Sequence, residues 1–172
     1  WHQDWAFYPH TNDDVLAVGV LLDDMTLNNG PLLTVSGSHT GPTFDHHQDG
    51  FFAGAIDPTR NQIDFAKAEP LTGKAGSCTF HHARPIHGSA TNHSSSSRRL
   101  LLFQIATSDA WDLSGMDDSD WKTYEKTILA GKPFIEARAV ITSIRKPFSK
   151  AKHQGSIYEN QSILKNHFFL TN

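Results

Sequence analysis

The sequence predicts a mainly β protein, built as an antiparallel sandwich or barrel. Two apolar runs, at residues 15–22 (VLAVGVLL) and 98–107 (RRLLLFQIAT), have the length and composition of strands. Clusters of turn-forming residues separate the apolar segments, at residues 28–31 (NNGP), 73–76 (GKAG) and 92–97 (NHSSSS). Short strands joined by such turns at regular spacing are typical of all-β sandwiches and barrels.

Each predicted strand is bounded by its own signals. The first, at residues 15–22, lies between clusters of Asn and Asp. The second, at residues 32–35, follows a turn in which Asn and Gly tolerate positive φ and Pro cannot donate to a ladder. Further strands are expected at residues 77–82, 86–90 and 98–107. Residues 40–60 are polar and rich in Gly and His, so we expect a long loop there, and such loops are usually functional or mobile.

The chain changes character at about residue 108. Residues 117–120 (DDSD) can cap a helix at residues 121–129, because a short polar side chain at the N-cap accepts a backbone N–H. Gly131 and Pro133 follow and would end that helix. The sequence therefore predicts a mixed extension after the strands.

Composition excludes several classes of function. The 172 residues carry 15 Lys plus Arg and 18 Asp plus Glu, for a net charge of −3, so we expect no nucleic-acid partner. No apolar run reaches the roughly 18 residues that a membrane span needs. The single cysteine, Cys78, excludes an internal disulfide, and we expect it to be a buried small residue. A soluble protein of a reducing, cytoplasmic compartment is expected, with its oligomeric state left open.

Histidine is unusually frequent, with 11 residues, and the first of them begins a possible metal site. In an extended segment His2 and Asp4 lie on the same side, because side chains alternate with period two. A third ligand must come from elsewhere, and His87, close to the rigid Pro85, is a candidate. Two histidines and one carboxylate on one side of an ion leave other positions open, which is the arrangement of non-haem Fe(II) oxygenases.

The pattern alone leaves the third ligand open, since a lone histidine is more often a hydrogen-bonded structural residue. Among the competitors, one of the adjacent His81 and His82 must point inward, where support of a ligand is more usual than ligation. The full set of competitors is His10, His39, His46, His47, His81, His82, His93, His153 and His167.

Two residues near His87 favour it over those competitors. Arg98 follows at the head of the longest predicted strand, and a guanidinium can hold a carboxylate through two hydrogen bonds. Ser89 points to the same face as His87 and can add a hydroxyl. Together these groups predict a site for an iron-chelating dicarboxylate. Strand alternation does not separate Arg98 from Arg99, because both faces of residues 98–107 are apolar.

Three segments, WHQDWAFYP at residues 1–9, NNGPLLTVSGSHTG at residues 28–41 and IHGSATN followed by RR, resemble the phytanoyl-CoA dioxygenase family. These are Fe(II)- and 2-oxoglutarate-dependent oxygenases, and the similarity covers residues 1–107. It implies a double-stranded β-helix, a jelly-roll barrel of the cupin-like type. It also implies that His2, Asp4 and His87 bind iron, while Arg98, chosen by the family spacing, and Ser89 hold the distal carboxylate of 2-oxoglutarate.

The resemblance also implies the reaction. Such a dioxygenase uses Fe(II), 2-oxoglutarate and O2 to hydroxylate an unactivated C–H of a small organic substrate, with succinate and CO2 as co-products. Retention of Asp4 favours hydroxylation, because related halogenases lack that carboxylate. Two alternatives stay open: a cupin-like metal-binding protein that does not use 2-oxoglutarate, and a truncated, inactive relative.

Three residues are candidates for contact with that substrate. His46 and His47 lie in the segment at residues 40–60, where such barrels have their substrate-side loops. Trp5 belongs to an aromatic cluster around the His2-x-Asp4 pair, where packing of the site is the commoner role.

The family's N-terminal barrel strands are expected to be missing from this sequence, which begins at Trp1 without an initiator Met. We expect residues 1–107 to be the C-terminal portion of the oxygenase barrel, carrying the iron site. Residues 108–172 are expected to form an extension that packs on the barrel within the same domain.

Overall fold

A computed structural model describes residues 1–114, 120–140, 151–152 and 155–165 of the chain. Short 3-10 turns occur at Asp4–Ala6, Ser38–Thr40 and Phe65–Lys67. The strands and helices, in chain order, are β1 (Val15–Leu21), β2 (Leu32–Val35), β3 (His47–Gln48), β4 (Phe51–Phe52), β5 (Ala68–Leu71), β6 (Cys78–His82), β7 (His87–Ser89), β8 (Leu100–Ala106), α1 (Trp121–Glu125) and α2 (Ile157–Gln161). The prediction of a mainly β chain is confirmed.

The described strands form two three-stranded antiparallel sheets and one hairpin. The first sheet has the order β6-β1-β8 and the second has the order β5-β2-β7. In the hairpin, β3 and β4 flank Asp49 and Gly50, whose φ angles of 50° and 82° fit the tight turn that joins twisted strands. Both sheets pair strands from distant parts of the chain, as sandwiches do.

The central strand of the first sheet, β1, is built from small and β-branched residues. Val15, Ala17 and Leu21 point to one face and are buried. Gly19 lies on the same face, where a Cβ would come within 2.6 Å of the Thr79 hydroxyl oxygen on β6. A close approach of this kind needs glycine, so the residue that interrupts the apolar run also allows β6 to pair with it.

The segment between β2 and β5 covers the second sheet rather than forming a free loop. Val35 of β2, Ile56 and Ile86 make a buried cluster. The partly buried side chains packed against it are Trp1, Phe44, Ile63, Phe65 and Ala68. The long loop expected at residues 40–60 is therefore partly ordered as the β3–β4 hairpin, and its apolar side chains add to the core.

The five strands predicted from the sequence are confirmed, with ends that agree to within two residues. The sequence does not predict β5, because Glu69 and Pro70 interrupt its apolar pattern. This segment forms a strand through backbone pairing with β2. On β8, Leu102 and Phe103 remain 59% and 48% exposed. The apolar run there predicts a strand but not its burial.

Two expectations were wrong in detail. The helix α1 ends at Glu125 rather than at residue 129, and Leu129 is 83% exposed, so no apolar contact extends the helix that far. Asp120 caps the helix by accepting the Thr123 N–H at 2.9 Å, while residues 117–119 of the capping motif lie outside the described residues. Cys78 is exposed instead of buried, because it lies at the start of the edge strand β6.

Residues beyond 108 contact the strand-rich part of the chain at several points. The Arg138 backbone carbonyl accepts from the buried Asn12 amide at 3.0 Å, and the Val140 N–H donates to the Thr11 carbonyl at 2.9 Å. Gln161 of α2 donates to the Gly54 carbonyl at 3.1 Å. The division between residues 107 and 108 stays a prediction. Of the helices that the structure describes, none has the length and apolar character needed to cross a bilayer.

Candidate metal centre

Backbone pairing between His2 and His87 brings together the two histidines of the candidate site. Each residue donates its N–H to the carbonyl of the other at 2.9 Å, in an isolated antiparallel bridge. The bridge joins the start of the chain to β7, so the first histidine occupies a fixed place beside the second sheet. The two imidazole rings lie 4.2 Å apart between centroids.

Asp4 completes a cluster with these two histidines. The His2 Nε2 lies 3.5 Å and the His87 Nε2 lies 3.4 Å from the same carboxylate oxygen, Oδ1. The three candidate ligand atoms all lie within 4.8 Å of one another, and within the described ranges no other group of three such side chains could hold a metal ion. The structure thus brings together the three residues that the sequence singles out.

Local backbone geometry explains how His2 and Asp4 reach the same point. Gln3 between them is extended, with φ −119° and ψ 129°, and Asp4 begins a 3-10 turn. The Gln3 side chain points the other way into the core, where it is fully buried. Its amide nitrogen donates to the carbonyls of Pro42 and Arg84 at 3.0 and 2.8 Å, and its oxygen accepts the Phe44 N–H at 2.8 Å.

The protonation states suit metal binding. Burial, with the nearby His87 adding to it, lowers the pKa of His2 to about 4, so its ring is neutral near pH 7. Burial alone would raise the pKa of Asp4, but hydrogen bonds from His2, His81 and His87 outweigh it and hold that pKa well below its usual range. His87 donates its Nδ1–H to the Pro85 carbonyl at 3.0 Å, so Nε2 is the ring nitrogen that a metal ion would meet.

The structure separates the two adjacent arginines. Arg98 donates from Nη2 to the Ser89 hydroxyl at 3.2 Å, and Ser89 lies on the same face of β7 as His87. Arg99 points away and holds Asp23 through two hydrogen bonds of 2.9 and 2.7 Å. Arg98 is therefore the arginine that contacts Ser89, two residues along β7 from His87, and Arg99 forms an ion pair with Asp23.

Two of the three substrate candidates have structural roles. Trp5 is 1% exposed and packs with Val15 and Ala83 in the core. His46 is equally buried; its Nε2 accepts the Gln3 N–H at 2.8 Å, and its Nδ1 contacts the Phe44 carbonyl. Both side chains are buried within the protein, and their contact with a substrate stays a prediction.

His47, the third substrate candidate, lies on the hairpin strand β3. Its Nδ1 donates to Asp45 at 2.9 Å, and its ring lies edge-on to Phe52, 5.6 Å between centroids. Phe52 in turn contacts Phe7, whose ring lies 5.6 Å from that of His2. Of the other histidines, His153 and His167 lie outside the described residues.

Two side chains near Asp4 complete its surroundings. The Nε2 of His81, on β6, lies 3.3 Å from the other carboxylate oxygen, Oδ2. Strand alternation predicts that one of His81 and His82 points inward, and the structure shows that it is His81. The Tyr8 hydroxyl also interacts with Asp4; burial and this carboxylate raise its pKa far above the ordinary value, so it stays protonated. The sequence shows Tyr8 only as one of several clustered aromatics, and nothing in the pattern marks its hydroxyl.

A cavity of about 460 Å³ adjoins the cluster, with His2 and Ser89 in its wall. Apolar side chains, including Leu33 and Phe65, line much of the rest. Gln161 and other residues of α2 and its surroundings form the remaining part of the lining. The C-terminal segment therefore contributes to a pocket that reaches the candidate metal site.

An antiparallel sandwich that holds two histidines and one aspartate around one point belongs to the double-stranded β-helix class, whose members include non-haem iron oxygenases. Within that class, the chain belongs to the phytanoyl-CoA dioxygenase family (PhyH), whose sequence model matches residues 1–100. The resemblance inferred from the three motif segments is thereby confirmed.

Several curated proteins are similar in sequence. A protein named as a probable alpha-ketoglutarate-dependent hypophosphite dioxygenase, from Stutzerimonas stutzeri, is 38% identical over 98% of this chain and 60% of its own length. The L-proline trans-4-hydroxylase of Streptomyces griseoviridis is 31% identical over 59% of this chain and 46% of its own length. The ectoine dioxygenase of Bordetella bronchiseptica is 34% identical over 54% and 35%. The chain thus spans at most about 60% of the length of these relatives.

Solved structures agree on the fold. The apo form of the non-haem monooxygenase ThoJ superposes with a TM-score of 0.58 and 27% identity, over 68% of this chain and 43% of that one. The non-haem alpha-ketoglutarate-dependent carbocyclase SnoK superposes with a TM-score of 0.54 and 24% identity, over 77% and 52%. The second likeness bears on the fold alone, and together they confirm the expected cupin-like, double-stranded β-helix.

Proposed function

We propose that the protein is an Fe(II)- and 2-oxoglutarate-dependent dioxygenase that hydroxylates a small-molecule substrate. The observation that carries the proposal is the cluster of His2, Asp4 and His87, with candidate ligand atoms within 4.8 Å of one another beside the Arg98–Ser89 pair. Membership of the phytanoyl-CoA dioxygenase family supports it.

The donor set fits Fe(II). Two neutral imidazoles and one carboxylate are the protein ligands of non-haem Fe(II) oxygenases, and they leave positions for a co-substrate and O2. His2 and Asp4 already have the protonation states that a metal requires, so binding needs no proton release from them near pH 7. Iron held there would supply the oxidising chemistry, coupled to conversion of 2-oxoglutarate and O2 into succinate and CO2.

Arg98 and Ser89 are the proposed binders of 2-oxoglutarate. The Arg98 guanidinium offers a planar pair of donors to a carboxylate, and the Ser89 hydroxyl at 3.2 Å can turn to donate as well. Arg99 has its guanidinium engaged by Asp23 and is not available for this role. The alternative of a cupin-like protein without 2-oxoglutarate leaves the position of Arg98 beside Ser89 without a use.

Hypophosphite is the first substrate that we propose to test. The relative named for hypophosphite matches 98% of this chain, whereas the family model ends at residue 100. The match therefore includes α2, which helps to line the cavity beside His2. The hydroxylated bond would then be P–H rather than the C–H of an organic molecule: one oxygen atom of O2 enters the substrate to give phosphite, and the other enters succinate.

Of the three substrate candidates, His47 is the one that we propose to contact the substrate. The proposal is supported by ring contacts that lead from His2 through Phe7 and Phe52 to His47 on the hairpin. Its Nδ1 is engaged by Asp45, so Nε2 is the nitrogen that a substrate would meet. A small movement of the hairpin would be needed, because this nitrogen is buried.

The test is substrate-dependent succinate release. With Fe(II), 2-oxoglutarate and O2, hypophosphite should raise succinate production above the uncoupled rate, and phosphorus NMR should show phosphite in equal amount. His87→Ala is the matched inactive control. Stimulation by L-proline or ectoine instead of hypophosphite would keep the dioxygenase assignment and reject the phosphorus substrate. Bound iron without any succinate would favour the cupin-like alternative, and absence of bound iron would favour an inactive relative.

A further inference from the structure

His81 lies against the proposed metal ligand Asp4 without belonging to the metal cluster. It is on β6, opposite Ala17 of β1, and the small Ala17 side chain leaves space for an imidazole on that face. The His81 side chain is 8% exposed, and its ring lies 4.8 Å from that of His87. The two sheets therefore meet here, with His87 from one and His81 from the other on either side of Asp4.

The two oxygens of Asp4 have different neighbours. Oδ1 faces the Nε2 atoms of His2 and His87 at 3.5 and 3.4 Å, whereas Oδ2 faces the Nε2 of His81 at 3.3 Å. An ionised carboxylate only accepts hydrogen bonds, so His81 donates its Nε2–H to Oδ2. The His81 Nδ1 is buried without a hydrogen-bond partner, so Nε2 is the ring nitrogen through which His81 acts on Asp4.

We propose that His81 is a positioning residue that fixes the Asp4 carboxylate so that one oxygen, Oδ1, faces the metal. This inference rests on the proposed function, since it assumes that the cluster binds Fe(II). A carboxylate can bind a metal through one oxygen or through both. Engagement of Oδ2 by His81 leaves Oδ1 as the ligand and keeps a further position free for co-substrate.

The geometry separates positioning from direct ligation. The cluster whose ligand atoms could share one ion consists of His2, Asp4 and His87, and the His81 Nε2 is not part of it. Hydrogen-bond partners of metal ligands orient those ligands, and their loss typically costs roughly 10- to 100-fold in metal affinity or activity. The same order of loss is expected for His81.

The experiment measures the dissociation constant for Fe(II), and for the air-stable Co(II), by competition with a chelator of known affinity. His81→Leu removes the donor and should weaken binding roughly 10- to 100-fold. His81→Gln places an amide N–H near the position of Nε2 and should recover most of the affinity. His81→Asn is polar but too short to reach Asp4, so it should behave like His81→Leu. His82→Gln, on the opposite face of β6, is the matched control and should bind like the wild type.

Each outcome decides the proposal. Affinity that falls in His81→Leu and His81→Asn and returns in His81→Gln supports positioning by a hydrogen bond. Wild-type affinity in His81→Leu would overturn it, as would equal losses in the Gln, Asn and Leu variants, which would indicate ligation or a packing role. Should His81→Leu fail to fold, the comparison of Gln with Asn still decides the question. Failure of the wild type to bind either metal would refute the proposed function itself, and this inference with it.

Discussion

His2 and His87 are joined by two reciprocal backbone hydrogen bonds of 2.9 Å, and their imidazoles converge on one oxygen of Asp4. The backbone bridge that joins residue 2 to β7 thus also brings the ligands of the candidate metal site together. Metal binding and folding should therefore be coupled, because the ligands lie together only in the folded chain.

Addition of metal should stabilise the protein against heat. A metal ion at about 100 times its dissociation constant adds roughly 2.7 kcal/mol to the free energy of unfolding. For a chain of this size that is a rise of roughly 5–10 °C in Tm. Anaerobic thermal unfolding with and without Fe(II) or Co(II) measures it. In Asp4→Asn, which keeps the size of the side chain but loses its charge, the rise should be much smaller; an equal rise would place the metal elsewhere.

Substitutions of Arg98 and Arg99 should differ sharply in their effect on the affinity for 2-oxoglutarate. Arg98→Gln removes a charge-assisted contact worth roughly 1.5–3 kcal/mol, so affinity should fall about 10- to 100-fold while metal binding is unchanged. Arg99→Gln is the matched control and should leave the affinity unaltered, because its guanidinium is engaged by Asp23. Equilibrium titration of 2-oxoglutarate into the anaerobic Fe(II) protein gives both values. A loss of affinity in Arg99→Gln but not in Arg98→Gln would show that Arg99 binds 2-oxoglutarate.

Gln3 should be important for stability although it binds nothing in the proposed reaction. Gln3→Leu leaves the Phe44 N–H and the carbonyls of Pro42 and Arg84 without their buried partner. The loss should be roughly 2–4 kcal/mol in the free energy of unfolding, since unpaired buried polar groups cost about 1–3 kcal/mol each and partial relaxation recovers some. Urea unfolding measures it, with the exposed Gln62→Leu as control. A change below 1 kcal/mol would show that Gln3 does not tie these segments together.

The Asp23–Arg99 pair should contribute stability near neutral pH that is lost in acid. Hydrogen bonds from Arg99 lower the pKa of Asp23 to about 2, below its ordinary value of 3.8. A lowered pKa in the folded chain means that the contribution is present above the ordinary value and is lost as pH falls from about 4 to about 2. Asp23→Asn should flatten the pH dependence of unfolding in that window, and Arg99→Gln should do the same. If the pH dependence of unfolding below about pH 4 is unchanged in both variants, the pairing does not contribute to stability.

Periodicity and turn chemistry predict much of this fold, because β1, β2 and β8 carry their apolar patterns and boundaries in consecutive residues. They do not predict β5, whose Glu69 and Pro70 break the apolar pattern and are tolerated because β5 lies at the edge of its sheet. The same limit applies to the hairpin of β3 and β4 at residues 47–52, which the sequence shows only as a polar, His-rich stretch.

Spacing likewise predicts which residues cluster at the site, since His2 and Asp4 share a face and His87 and Ser89 share another. It does not predict the contacts that depend on packing between sheets. Strand alternation leaves Arg98 and Arg99 equivalent, and the structure distinguishes them by the ion pair of Arg99 with Asp23 and by the hydrogen bond from Arg98 to Ser89. The burial of Trp5 and His46 similarly follows from tertiary packing, which the spacing of residues near the motif does not predict.

The His2, Asp4 and His87 cluster should hold Fe(II) together with 2-oxoglutarate. Visible absorption of the anaerobic protein measures this, because chelation of the iron by 2-oxoglutarate produces a charge-transfer band that neither component gives alone. We expect a band that requires both additions, saturates with 2-oxoglutarate and disappears in His87→Ala. A wild-type protein that gives no band at saturating Fe(II) and 2-oxoglutarate, or a band that survives in His87→Ala, would refute the iron site at this cluster.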